Sequence, residues 1–204
     1  MILQTPRLTL RELTSADLPA LREILQDDET MTAYEGAFDD AMVEAWFARM
    51  RERYATDGFG LWAVTLRDTD TDAHTDTDTH TNTDTDTHTN TDTDTAIGGI
   101  AAGDTMIGQC GLTRQHILGE DVIEVGYLFN RAHWHLGYAA EAAAACRDYA
   151  FNTLGVDRVY AQIRDTNLAS MNVAIRLGMT VRGRFSKHYR GVEMPHLAFA
   201  VDRQ

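Results

Sequence analysis

The chain lacks the glycine fingerprints of the common nucleotide-binding folds. No Gly-Lys-Ser/Thr follows a turn and no Gly-x-Gly-x-x-Gly occurs anywhere, which excludes a P-loop triphosphatase and an ordinary dinucleotide-dependent dehydrogenase. Cysteine is scarce. Cys110 falls in an apolar strand and Cys146 on an apolar-rich helix, so the two read as reduced core residues of a cytoplasmic protein, not as a disulfide framework or a metal site. Long apolar runs are missing too, so no membrane-spanning segment is expected. The opening Met1-Ile-Leu-Gln-Thr-Pro-Arg7 has no basic region followed by an apolar core, so no signal peptide is expected either. Lysine is reduced to Lys187 beside seventeen arginines, a bias that by itself carries no mechanism.

What is present in excess is negative charge, and most of it sits in one place. The formal net charge is -13, yet nine aspartates lie between Asp68 and Thr95 with no Lys or Arg among them, leaving the remainder at -4. Nucleic acid is an unsuitable partner for such a chain. In this stretch Thr alternates with Asp, His or Asn, and Thr75–Asn82 is repeated verbatim as Thr83–Asn90. Both faces of such an alternation are polar, so folding it buries nothing. Residues 68–104 therefore read as a disordered low-complexity insertion in the hairpin between the second and third strands, within one domain spanning 1–204. Ion binding is the competing reading. The glycine and terminal glutamate of an EF-hand loop are absent, and His74, His80 and His88 have no compact ligand spacing.

Outside the insertion the hydrophobic pattern alternates between strand and helix periods. Arg7–Leu13 reads as a half-buried strand. Thr14 can cap a helix to about Leu25, and Asp39 or Asp40 a second to about Tyr54. Strands follow at Leu61–Leu66, Met106–Leu112 and Val122–Phe129, then a helix at Tyr138–Leu154 stopped by Gly155 and a strand at Arg158–Ile163. Asn167 caps a helix from Leu168 to Leu177, and strands near Val181–Phe185 and Leu197–Val201 end the chain. The order predicts an α/β (α+β) fold, a mixed sheet of about seven strands flanked by about four helices.

The junction between the Val122–Phe129 strand and the Tyr138 helix carries the clearest chemistry. Gly137, Ala139 and Ala140 are small enough for a ligand to approach the backbone. The first turn of a helix offers unpaired N–H groups and a positive dipole end. Strand, small-residue turn and helix suit a phosphate or pyrophosphate. A tight turn for helix packing is the alternative reading of the same residues.

Four segments in order then resemble the GCN5-related N-acetyltransferase (GNAT) superfamily, and within it the RimJ/RimL-like branch of ribosomal-protein alanine N-acetyltransferases. They are Thr5-Pro-Arg-Leu-Thr-Leu-Arg11, Glu124-Val-Gly-Tyr127, Trp134-His-Leu-Gly-Tyr-Ala-Ala-Glu-Ala142 and Asn167-Leu-Ala-Ser-Met-Asn-Val-Ala-Ile-Arg-Leu-Gly-Met179. The resemblance implies the GNAT fold and acetyl-CoA as cofactor. It implies that Gly137, Tyr138, Ala139 and Ala140 present N–H groups to the pyrophosphate, and that Leu128 and Phe129 pair with the pantetheine arm. Asn167 and Ser170 would contact that arm from the other side. The sequence departs from the pattern at Trp134, where Gln or Arg is usual, at Met179, where Phe is usual, and at His135, often Gly, whose imidazole can bond a phosphate or simply fill space.

Acetyl transfer to an amine needs a base, a polarised carbonyl and a proton for the leaving thiolate. Glu124 is the acidic residue of an otherwise apolar central strand, and burial there would raise its pKa. Its alternatives are an exposed strand edge or an ion pair with an Arg. The tyrosine that many relatives carry as leaving-group acid is replaced by Ala174; Ser170, or more loosely Tyr189, can relay the proton, though Ser170 can equally be a helix-start or cofactor contact. The His133–His135 pair has no further ligand nearby, so no metal is expected, and His188 and His196 are candidates for the acceptor pocket. The expected reaction is acetylation of a protein or peptide α-amine by a cytoplasmic monomer or homodimer. A small amine (a polyamine, an amino-acid analogue or an antibiotic) and a non-catalytic CoA-binding module are the alternatives.

Overall fold

The structure is a computed structural model that describes residues 1–67 and 105–204. The Thr/Asp repeat and its expected disorder lie outside the described residues. Eight strands form one sheet: β1 (Leu3–Gln4), β2 (Leu8–Arg11), β3 (Leu61–Leu66), β4 (Met106–Ile117), β5 (Glu120–Phe129), β6 (Arg158–Arg164), β7 (Thr180–Tyr189) and β8 (Val192–Asp202). The helices are α1 (Leu18–Leu25), α2 (Asp40–Asp57), α3 (Tyr138–Asn152) and α4 (Leu168–Arg176).

The sheet order is β1-β2-β3-β4-β5-β6-β8-β7. Seven strands were expected. The eighth is the two-residue β1, which folds back on β2 through Leu3 and Leu10 and is too short to carry a period. The segment from 68 to 104 consequently connects β3 to β4, adjacent antiparallel strands whose ends pair at Thr65 and Met106. β4 runs to Ile117, five residues past its expected end.

Alternation along β3 shows why both faces of the sheet need cover. Leu61 and Ala63 point into a core with Leu21, Ile24, Val43 and Met50 from α1 and α2. Trp62 and Val64 point into the opposite core with Ala142, Cys146 and Ala150 from α3. The alanines of α3 allow close approach to the sheet, and Phe151 and Tyr149, which meets Trp62 edge-on at 5.6 Å, fill the space towards its C-terminal end. The starts of α2 and α4 carry side-chain caps, whereas α3 starts at Gly137 without one. Asp39 Oδ1 accepts from the Met42 N–H at 2.8 Å, and Asn167 Oδ1 from the Ser170 N–H at 3.0 Å. Thr14 and Asp17 form a capping box around a short 3-10 turn, Ser15–Asp17, that precedes α1.

Candidate active site

Every neighbouring pair in the sheet is antiparallel except β5 and β6, which run parallel and pair only at Ile123–Val159 and Glu124–Tyr160. Beyond Glu124 the strands part. β5 stays paired with β4 through Phe129 and Gly108, while its β6-facing edge has no strand partner among the described residues. Such an edge offers backbone N–H and C=O groups to an extended ligand, as a missing strand would take them. The divergence opens a cleft of about 580 Å³ whose walls include Glu124, Leu128, Asn167 and Ser170.

Glu124 stands at the apex where pairing stops. One carboxylate oxygen accepts the Gln162 backbone N–H at 3.0 Å and the other the Thr113 hydroxyl at 3.3 Å. Neither alternative placement holds: it is not at an exposed edge, and no arginine pairs with it among the described residues. Burial pushes its pKa above the ordinary carboxylate value, with the nearby Lys187 charge and the hydrogen bonds opposing the rise. A carboxylate so placed holds a proton at higher pH than an exposed one, the direction a general base for an ammonium requires.

The turn after β5 lies beyond the end of the cleft wall, so Phe129, His135, Gly137, Tyr138, Ala139 and Ala140 are not part of its lining. Asn130 caps a short turn, Arg131–His133, by accepting from the Ala132 N–H at 3.0 Å. Trp134 then donates its indole N–H to the Phe129 carbonyl at 2.8 Å, fastening the strand end to the turn. That explains an aromatic residue at this position, and it occupies one acceptor site of the Phe129 carbonyl. Gly137 has φ +84° and Glu141 is the first residue to bond within the helix, to the Gly137 carbonyl at 3.1 Å. The N–H groups of Tyr138, Ala139 and Ala140 therefore have no helical acceptor. His135 is exposed with φ +61°, so its imidazole fills no packing space.

On α4, Asn167 Oδ1 is committed to its cap, and the Ser170 carbonyl accepts the Tyr127 hydroxyl at 2.9 Å. Ala174 is fully buried in the core below. His188, Tyr189 and His196 do reach the cleft; His196 donates its Nδ1–H to the Met194 carbonyl at 2.8 Å, which fixes the tautomer. The far wall was not foreseen. Arg49 and Arg53 come from the polar side of α2, where periodicity alone marks only solvent; Trp46 lies on its buried face and Tyr34 in the short 3-10 turn Thr32–Tyr34 before it.

The model of the acetyltransferase (GNAT) domain matches residues 7–75 and 71–180. The uncharacterised protein YkkB of Bacillus subtilis (strain 168) is 30% identical over 178 residues, covering 87% of this chain and 84% of that protein. Among solved structures, an acetyltransferase from Agrobacterium tumefaciens is 26% identical with a TM-score of 0.69, covering 98% and 94% of the two chains. The fold is also that of RimL, a ribosomal L7/L12 alpha-N-protein acetyltransferase in complex with coenzyme A, at 12% identity, TM-score 0.67 and coverages of 98% and 97%. With a sheet that splays beside a half-buried glutamate and a matching model over most of its length, the chain belongs to the GNAT acetyltransferases, acyltransferases that use acetyl-CoA.

Proposed function

We propose that the protein acetylates the α-amine of a protein or peptide, as the RimJ/RimL-like enzymes do. The observation that carries this reading is the parting of β5 and β6 with the Glu124 carboxylate at its apex. In this reading the N–H groups of Gly137, Tyr138, Ala139 and Ala140, with His135 beside them, hold the diphosphate of acetyl-CoA. The free edge of β5 at Leu128 and Phe129 orients the pantetheine arm, and Asn167 and Ser170 flank it. Bound there, acetyl-CoA supplies the activated acetyl group. Glu124 would take a proton from the acceptor's ammonium, directly or through water, to give the neutral amine that attacks. Ser170 relays a proton to the departing thiolate, a step that needs little help because thiols are acidic.

The reading is tested by mixing the purified protein with acetyl-CoA and peptides beginning with Ala or Ser. Thermal stabilisation by acetyl-CoA and release of free thiol with an N-terminally acetylated product are expected. Stabilisation without thiol release from any amine would leave a CoA-binding module, and no stabilisation would remove the cofactor assignment itself.

A further inference from the structure

We propose that the acceptor is a peptide carrying a carboxylate within its first residues, and that Arg49 and Arg53 seat that carboxylate. The inference rests on the acetyl-transfer reading above and adds the charge of the acceptor. Arg49 and Arg53 lie one helical turn apart on α2, and both line the cleft that holds Glu124. Like charges at this spacing destabilise a helix unless an anion lies between them. Among the described residues none does. On α2, Glu44 pairs with Arg22 at 2.5 Å and Asp57 with Arg114 at 3.3 Å while acting on Arg53 only at longer range, and exposed Glu52 makes no ion pair with either arginine.

Arg51, Arg176, Arg190 and Arg203 also lack an ion pair among the described residues, but Arg49 and Arg53 are the ones that line the cleft. Arg7, Arg11, Arg131, Arg158 and Arg182 each hold a carboxylate. Even Arg164, on the cleft wall, is bound to Glu35 and to the Thr32 carbonyl. Arg49 instead rests over the Trp46 ring, 5.1 Å from its centroid, and lines the cleft while remaining exposed. Half-buried Arg53 stands beside it, and burial together with the Arg49 charge disfavours its protonated form. Lys187 adds a third cation to the cleft without an ion pair among the described residues.

Against these charges the lining offers, among the described residues, one carboxylate, Glu124, which burial inclines towards its neutral form. A cationic cleft in a chain of net charge -13 is a local feature and not a reflection of composition. A polyamine would be repelled by it, whereas a carboxylate can take paired N–H donors from the two guanidinium groups. With the α-amine directed at Glu124 and an acidic side chain on the arginines, the peptide would be held at two points.

The test compares peptides that differ only in charge, Ser-Asp and Ser-Glu sequences against their Asn and Gln counterparts, with free aspartate, glutamate and spermidine as further acceptors. The expected kcat/KM for the acidic peptides is roughly tenfold above that of the amides, a ratio that shrinks as salt rises. Arg53→Gln and Arg49→Gln each bring the ratio near one, and Arg53→Lys recovers part of it. Equal rates for acid and amide, or preference for spermidine, overturn the proposal while leaving acetyl transfer intact. Higher rates with free aspartate than with acidic peptides overturn the peptide assignment. Calorimetric binding of the same peptides to the CoA-saturated protein separates the two readings. Charge-selective binding without turnover sustains the carboxylate site and removes acetyl transfer, and absence of charge selectivity in binding overturns the site.

Discussion

Arg7 and Glu141, far apart in sequence, meet at the start of α3. The Arg7 Nε donates to one carboxylate oxygen at 2.7 Å, and the Thr5 hydroxyl and Arg7 N–H donate to the other at 2.6 and 3.0 Å. Arg7 also donates to the Leu136 carbonyl at 3.0 Å and stacks on the Tyr138 ring. The hairpin turn between β1 and β2 is thereby fastened to both sides of Gly137, so the proposed diphosphate turn is held by the opposite end of the chain. Burial raises the Glu141 pKa, but the bonds from Thr5 and Arg7 outweigh it and leave the group below its ordinary value.

Arg7→Ala is expected to raise the KM for acetyl-CoA several-fold with little change in kcat. The stability cost is about 1 kcal/mol or less, because the Arg7 side chain is 47% exposed and solvent screens the pair. Because the folded pKa of Glu141 is depressed, its contribution is complete above the ordinary value of 4.5 and is lost as pH falls through the lower folded value. Melting curves of wild type and Glu141→Gln should therefore converge in acid, and a constant separation would show that the carboxylate charge contributes nothing.

Glu124 behaves with the opposite sign. Its folded pKa is raised, so ionising it costs stability as pH rises from the unfolded value of 4.5 through the folded one. Glu124→Gln should melt at or above the wild-type temperature at pH 8, and the difference should shrink towards pH 4. The amide can still accept from the Gln162 N–H. Turnover should fall by about 100-fold or more, and the acid limb of the pH–rate profile should vanish. An unchanged limb would assign it to another group.

The sheet tolerates no side chain at Gly111. A Cβ there would lie 2.0 Å from the Gly60 carbonyl oxygen, which also accepts the Leu112 N–H at 3.1 Å. Gly111→Ala forces β3 and β4 apart and is expected to cost about 3 kcal/mol, roughly 10 °C in melting temperature for a domain of this size. A melting temperature within a degree of wild type would contradict the register of these strands.

Much of this architecture can be read from periodicity, since β3, α2, α3 and the caps at Asp39 and Asn167 are all local in sequence. Glu124 is legible for the same reason, as one charge in an apolar strand. The tether between Arg7 and Glu141 is not, because each is an ordinary surface residue until folding joins them. Arg49 and Arg53 escape notice because an exposed helix face and a cleft wall carry the same polar pattern. Trp134 reads as a departure from a motif, and only the position of the Phe129 carbonyl gives it a partner.

The repeat itself can be removed to test whether it is a passive insertion. The flanking strands are antiparallel neighbours paired at Thr65 and Met106, so a short turn can join them and the loop-closure term changes by only about 1–2 kcal/mol. Deletion of Thr69–Thr95 should leave melting temperature and kcat/KM within about twofold of wild type. A large loss of either would give the segment a role in the fold or the cleft.

The two cysteines bear on every assay that counts free thiol. Their sulfurs are 3.6 Å apart and both side chains are fully buried between β4 and α3. Burial, reinforced by the neighbouring Cys110, pushes the Cys146 thiol well above its ordinary range, and an inaccessible thiol with little thiolate is a poor nucleophile. In the native protein neither should react with an aromatic disulfide reagent over the course of a turnover measurement. In denaturant both should react at once, whereas under native conditions any reaction should be no faster than opening of the fold. Prompt reaction of one native thiol would mean that α3 separates from the sheet on the assay timescale, and the helix that starts at Gly137 would then be a mobile support for the cofactor.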